Sequence, residues 1–232
     1  MKSYDQGYFG SVLGVEDARN VLQAVVMESD DNGATWSEPR NITKDITKGH
    51  EGEWKSRFAS SGHGIQLKYG QYKGRLIQQY AVRTTSNTNI AVSVYSDDHG
   101  KTWKAGNPVT EVNMDENKVV ELSDGRVMLN SRPGNGSGYR RVAISKDGGV
   151  NYGPIKSETQ LPDPNNNAQI TRAFPNAPEG RRRRRCCCTR HRARTTRAVR
   201  TVSCVFHSMM APHGRPASCS RQARWPTRSS PR

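Results

Sequence analysis

Cysteine is missing from residues 1–180 of this 232-residue chain, which excludes a disulfide framework or a zinc ribbon in that stretch. All five cysteines fall in residues 181–232, and that segment in turn has no lysine, aspartate or glutamate. No apolar run approaches the length that crosses a bilayer. The opening MKSYDQGYFGSVLG lacks the basic-then-apolar layout of a signal peptide, so no export signal is read there. Sustained helical periodicity is absent too, which leaves strands and turns as the material of the body.

The charge is as unevenly placed as the cysteine. Of 36 Lys plus Arg, 15 are arginines of residues 181–232, leaving 21 basic residues against all 21 acidic ones in residues 1–180. The body is neutral and the net charge of +15 belongs to the tail. The basic pI therefore says nothing about nucleic acid or membrane affinity of the body.

What the chain does contain is a repeated turn. Ser29-Asp30-Asp31-Asn32-Gly33-Ala34-Thr35-Trp36 recurs as Ser96-Asp97-Asp98-His99-Gly100-Lys101-Thr102-Trp103, and in weaker form as Ser145-Lys146-Asp147-Gly148-Gly149-Val150-Asn151-Tyr152. Each copy follows an alternating apolar run, so each reads as a hairpin turn: Asp binds backbone amides, Gly supplies positive φ, and an aromatic opens the next strand. The copies begin 67 and 49 residues apart, about the size of a propeller blade. Repetition assigns Asp31, Asp98 and Asp147 to structure, because a catalytic acid occurs once and a structural device once per blade.

Strands are expected at Val21–Met27, Arg75–Arg83, Asn89–Tyr95 and Tyr139–Ile144. A hairpin is expected from Val119–Leu122 and Arg126–Ser131 across Ser123-Asp124-Gly125, and loops at residues 41–61 and 161–167. Glu121 lies across that hairpin and is read as structural. His50, His63 and His99 have no partner at metal-ligand spacing, so no metal site is assigned.

The stretch Met114 to Arg132 (MDENKVVELSDGRVMLNSR) resembles the bacterial exo-sialidases, or neuraminidases. So do the three boxes, Tyr4-Asp5-Gln6-Gly7-Tyr8, Gly64-Ile65-Gln66-Leu67 and Leu161-Pro162-Asp163-Pro164, and together the likeness covers nearly all of residues 1–180. It implies an all-β, six-bladed propeller of a secreted enzyme without cofactor, releasing terminal sialic acids from glycans, glycoproteins or glycolipids with retention of configuration. By motif position it implies that Glu116 is a base assisting a tyrosine nucleophile and that Arg132 binds the substrate carboxylate. The pairing has a physical logic. A substrate carboxylate calls for planar, bidentate positive charge, which Arg offers and Lys does not, and it would repel a carboxylate nucleophile, so the family stands outside the two-carboxylate scheme.

The resemblance also implies parts that this sequence does not spell: an acid/base Asp, the Tyr nucleophile and two further arginines. The expected organisation is thus a propeller fragment of about three blades over 1–180 and a disordered tail over 181–232, with no catalysis by the chain as written. Read one base out of register, Met209–Ala211 must give Asp-Gly, and its flanks permit a fourth Asp box; Arg221–Arg228 can be shifted to Pro-Gly-Ala-Met-Ala-Tyr-Ser, with the Ala forced by Trp225-Pro226. The tail therefore reads as a frame-shifted continuation of the propeller. A basic arm for nucleic acid is the rival, but such arms mix Lys with Arg, and cysteines at 186, 187, 188, 204 and 219 match no zinc spacing. A second reading of the body, from another class, is a non-catalytic Asp-box propeller that binds glycan or protein.

Overall fold

The computed structural model describes residues 7–109, 113–172, 175–176, 186–192 and 200–206, the last two stretches as backbone only. Tyr4 to Gln6, the arginine run 181–185 and the chain from 207 onward, which holds nearly all of both shifted-frame segments, lie outside the described residues.

Alternation decides the architecture. Strands β3 (Trp54–Ala59), β4 (Ile65–Gln66), β5 (Leu76–Thr84), β6 (Asn89–Ser96) and β7 (Lys104–Ala105) form one antiparallel sheet, ordered β3-β5-β6-β7 with β4 beside β5. A second contains β8 (Met114–Glu121), β9 (Val127–Pro133), β10 (Tyr139–Ser145) and β11 (Lys156–Pro162) in sequential order. Before them lie β1 (Val25–Val26) and β2 (Arg40–Asn41), a short ladder of their own.

The inner strands of the two larger sheets are buried on both faces, and residue parity sorts their side chains between neighbours. Even-numbered Tyr80, Val82, Ile90, Val92 and Val94 pack with Ala24, Ile42, Ile46 and Trp54 toward β1 and β2. Odd-numbered Ile77, Ala91, Val119, Val127, Leu129 and Ala143 close the seam between the two sheets. Even-numbered Val120, Leu122, Met128 and Val142 meet Ile170 on the far side. Stacking of sheets around successive cores is propeller packing, and the fold is a partial β-propeller.

Within residues 1–180 two expectations change. The loop expected over residues 41–61 contains helix α1 (Thr43–Thr47) and strand β3. Ile42 and Ile46, one helical turn apart, insert into the first core, and Lys55 and Arg57 hide the alternation of β3. The expected strand Val21–Met27 shrinks to Val25–Val26, because Ala24 is instead bonded by the Thr43 hydroxyl and the Ile42 amide. Val25 on this first ladder, and Met27 and Trp36 in the connection between its strands, remain exposed.

The tail, expected to be unstructured, carries β13 (Cys186–Arg192) and β14 (Arg200–Phe206), which extend β12 (Gln169–Arg172) into a three-stranded antiparallel sheet. Runs such as Thr201-Val202-Ser203-Cys204-Val205-Phe206 are strand formers, and an edge strand offers unpaired amides to any such run.

Candidate active site

The Asp boxes adopt one geometry three times. Asp98 accepts hydrogen bonds from the Ser96 hydroxyl (2.8 Å), the Thr102 amide (2.8 Å) and the Thr102 hydroxyl (2.6 Å). Asp31 repeats the pattern with Ser29 and Thr35; at Asp147 the Asn151 side chain replaces the threonine hydroxyl (2.7 Å). Bonds from the Thr35 hydroxyl, then the Thr35 amide, then Ser29 draw the Asp31 carboxyl down to about 2, and the equivalent groups lower Asp98. Two consecutive residues take positive φ in every box: Asn32–Gly33, His99–Gly100 and Gly148–Gly149. All three carboxylates are engaged with their own turns.

The third box departs from the pattern at Gly148 for a visible reason. The guanidinium of Arg75 enters this turn, donating to the carbonyls of Asp147 (3.2 Å) and Gly148 (3.1 Å) while it holds Asp97 of the second box through Nε and Nη2 (2.7 and 3.0 Å). Tyr72 and Tyr95 lie 4.5 and 4.3 Å from its central carbon. A Cβ on residue 148 would meet Tyr72 at 2.7 Å and Arg75 Nη1 at 2.8 Å, so only glycine fits. Arg75 thereby joins the two sheets.

The residues singled out for chemistry meet at the open end of the β8–β9 hairpin. Asp-Gly turns the chain, with Gly125 at φ +80° and Arg126 held on Asp124. Pairing then runs in register from Glu121↔Val127 to Asn117↔Ser131 and slips before Met114↔Pro133, where β8 uses one residue more than β9. This bulge breaks alternation and turns two successive carboxylates toward one cation. Arg132 Nη1 lies 3.0 Å from Glu116 Oε2 and 3.7 Å from Asp115 Oδ2. Both partners of the closer pair keep about a fifth to a quarter of their side-chain surface open.

Residues that the sequence reading did not single out hold the bulge in place. Asn117, fully buried, donates to the carbonyls of Asp115 (2.7 Å) and Tyr80 (3.2 Å), and its amide reaches the Ser60 hydroxyl (3.3 Å). Lys118 is buried as well and gives its ammonium to Asn167 Oδ1 (3.1 Å). Burial, with some repulsion from Arg140, pushes this amine down to about 8, although Glu116 pulls the other way. Arg140 links Asn130 (2.7 Å) to Asp163 (2.7 Å) out of contact with solvent. Polar residues inside otherwise apolar strands were the available signal. At the rim Tyr8 donates to Asn89 (3.1 Å) beside Phe9 and Phe58, and burial together with the charge of Asp115 raises its phenol well above the usual value.

Glu121 lies elsewhere, buried, accepting from the amides of Lys68 (3.0 Å) and Tyr69 (2.9 Å) and facing Arg172 at 3.5 Å. His50 stacks on Trp54 at 4.3 Å, His99 occupies a box turn, and His63 faces Gln169. Among the described residues no three His, Cys, Asp or Glu side chains converge as a metal set, and no helix is long and apolar enough to cross a membrane.

The profile of BNR repeat-like domains matches residues 10–181. A sialidase of Micromonospora viridifaciens is 59% identical over 179 residues, 77% of this chain and 27% of that protein. A sialidase of Clostridium perfringens is 35% identical over 127 residues, 53% of this chain and 32% of that one. Among solved structures, the Hadza microbial sialidase Hz136 superimposes with a TM-score of 0.71 at 27% identity, over 88% of this chain and 38% of that chain. The chain spans 27% to 38% of the length of these three relatives.

Proposed function

The chain belongs to the bacterial sialidase family of BNR repeat-like propellers, and from that premise we propose that it is part of an exo-α-sialidase, a retaining glycoside hydrolase that releases terminal sialic acids. Arg132 receives the substrate carboxylate. Glu116 is the base that assists a tyrosine nucleophile supplied from outside the described residues. The observation that carries this assignment is the Glu116–Arg132 pair at 3.0 Å. It places an acceptor and a planar cation side by side on a bulged strand end, partly open to solvent.

We further propose that the chain as written does not turn over. Hydrolysis needs acid/base, nucleophile and carboxylate clamp together, and such groups act as a unit. Two observations support incompleteness. The family match ends at residue 181, where the composition changes to arginine and cysteine. Val25 on β1, and Met27 and Trp36 in the connection from β1 to β2, are exposed apolar side chains of the kind that a neighbouring blade covers.

The test is turnover of a fluorogenic sialoside by the 232-residue chain. No signal above a blank is expected. Turnover abolished by Glu116→Gln would disprove the inactivity while upholding the role of Glu116.

A further inference from the structure

We propose that Asn165 is a positioning residue that presents the Arg132 guanidinium end-on to a sugar carboxylate, an inference that rests on the carboxylate-binding reading of Arg132. The guanidinium has three sides. Nε donates to Asn165 Oδ1 at 2.8 Å, and Nη1 faces Glu116 at 3.0 Å and Asp115 at 3.7 Å. No described residue takes a hydrogen bond from Nη2. A carboxylate can dock on an arginine along the Nε/Nη2 edge or along the Nη1/Nη2 edge, since each offers two parallel donors. Nε–H is given to Asn165 and one of the two Nη1 hydrogens to Glu116. The donors left are the second Nη1 hydrogen and those of Nη2, so a ligand carboxylate docks along the Nη1/Nη2 edge and approaches along the arginine axis.

Asn165 can hold that direction because its loop is anchored from beneath. Asp163 accepts from the fully buried Arg140 (2.7 Å) and from the Asn166 amide (3.0 Å), and Asn167 takes the ammonium of buried Lys118 (3.1 Å). Residues 163–167 thus bind three cations of the hairpin sheet: Arg140, Arg132 and Lys118, in chain order Asp163, Asn165 and Asn167. Asn165 itself sits at φ +65°, a conformation that Asn and Asp tolerate better than other non-glycine residues. That backbone aims its side chain back at the sheet.

The experiment follows arginine side-chain resonances of the ¹⁵N-labelled full chain with N-acetylneuraminic acid as probe. In the unsubstituted chain the Arg132 Nε–H exchanges slowly with water, and the acid shifts the Nη signals. Asn165→Ala speeds that exchange and weakens the acid about tenfold, the size of one charge-assisted hydrogen bond. Asn165→Asp keeps an acceptor oxygen and keeps the Nε–H protected. Unchanged protection in Asn165→Ala overturns the proposal and leaves the reading of Arg132 standing. Lost protection with unaltered acid affinity overturns it as well, as a contact that positions nothing. If the unsubstituted chain ignores the acid, the carboxylate-binding reading fails and takes the proposal with it.

Discussion

Arg75 is where the two larger sheets are joined, and its removal should be costly in a way that removal of its ion-pair partner is not. In Arg75→Ala two carbonyls, of Asp147 and Gly148, lose donors that reached them at 3.2 and 3.1 Å. Each orphaned buried acceptor costs about 1–3 kcal/mol. Loss of the guanidinium between Tyr72 and Tyr95 adds about 0.5–1 kcal/mol per ring. Asp97 adds little, because its side chain is 54% exposed and rehydrates once released. The expected loss is about 3–8 kcal/mol, against about 5–15 kcal/mol for the net stability of a domain. Asp97→Asn should lose about 1 kcal/mol or less. Urea unfolding followed by tryptophan fluorescence measures both, and Arg75→Lys, which retains the charge without the fork, should fall between them. The reasoning is refuted if Arg75→Ala costs no more than Asp97→Asn, for then the surface ion pair and not the buried junction carries the effect.

Gly148→Asn restores the residue found at the same place in the first box, so repeat statistics alone would call it harmless. The structure expects destabilisation by about 1–3 kcal/mol, since the new Cβ meets Tyr72 and Arg75; equal urea midpoints would contradict this. Lys118, lowered to about 8 when folded against 10.5 as its ordinary value, sheds its proton in the folded chain before the unfolded one does. Stability should therefore rise with pH above 8, by up to about 1.4 kcal/mol per pH unit, and Lys118→Met should flatten that rise between pH 8 and 9.5. Equal slopes in the two proteins would place the ammonium in water. Asn117→Ala should release the bulge that turns Asp115 and Glu116 to one side, seen as loss of the Asn165-bonded Arg132 Nε–H signal without loss of the β-rich circular dichroism; an unaltered signal would show that the bulge holds itself.

Turn chemistry made much of this fold legible before any coordinates. A box of Ser, Asp and Gly dictates its own hydrogen bonds within eight residues, and an Asp-Gly pair between apolar runs dictates a hairpin. Alternating apolar runs marked the strands, but the burial of the larger sheets' inner strands on both faces was not read from them. Helix α1 and strand β3 were hidden, because Lys44, Asp45, Lys55 and Arg57 dilute a pattern only a few residues long and tertiary packing decides it. At the site, motif position brought out Glu116 and Arg132, which the structure brings together. The bulge was not legible, since register belongs to a pair of strands and not to either sequence. Nor was the support from Asn165 and Asn167, whose partners lie 33 and 49 residues away. An Asn-rich loop looks the same whether its amides face water or a buried ammonium.

The central claim is that this sequence belongs to a sialic-acid-releasing enzyme in which Glu116 and Arg132 act on the substrate. Its most direct measurement is sialic acid release from a sialylated glycoprotein by a protein that joins residues 1–180 to the remaining blades of a sialidase propeller. Release by this completed propeller is expected, abolished by Glu116→Gln and reduced by Arg132→Lys at least tenfold, because a point ammonium cannot form the paired hydrogen bonds to a carboxylate. A completed propeller that folds yet neither binds nor cleaves sialosides would contradict this and favour a non-catalytic Asp-box binding propeller.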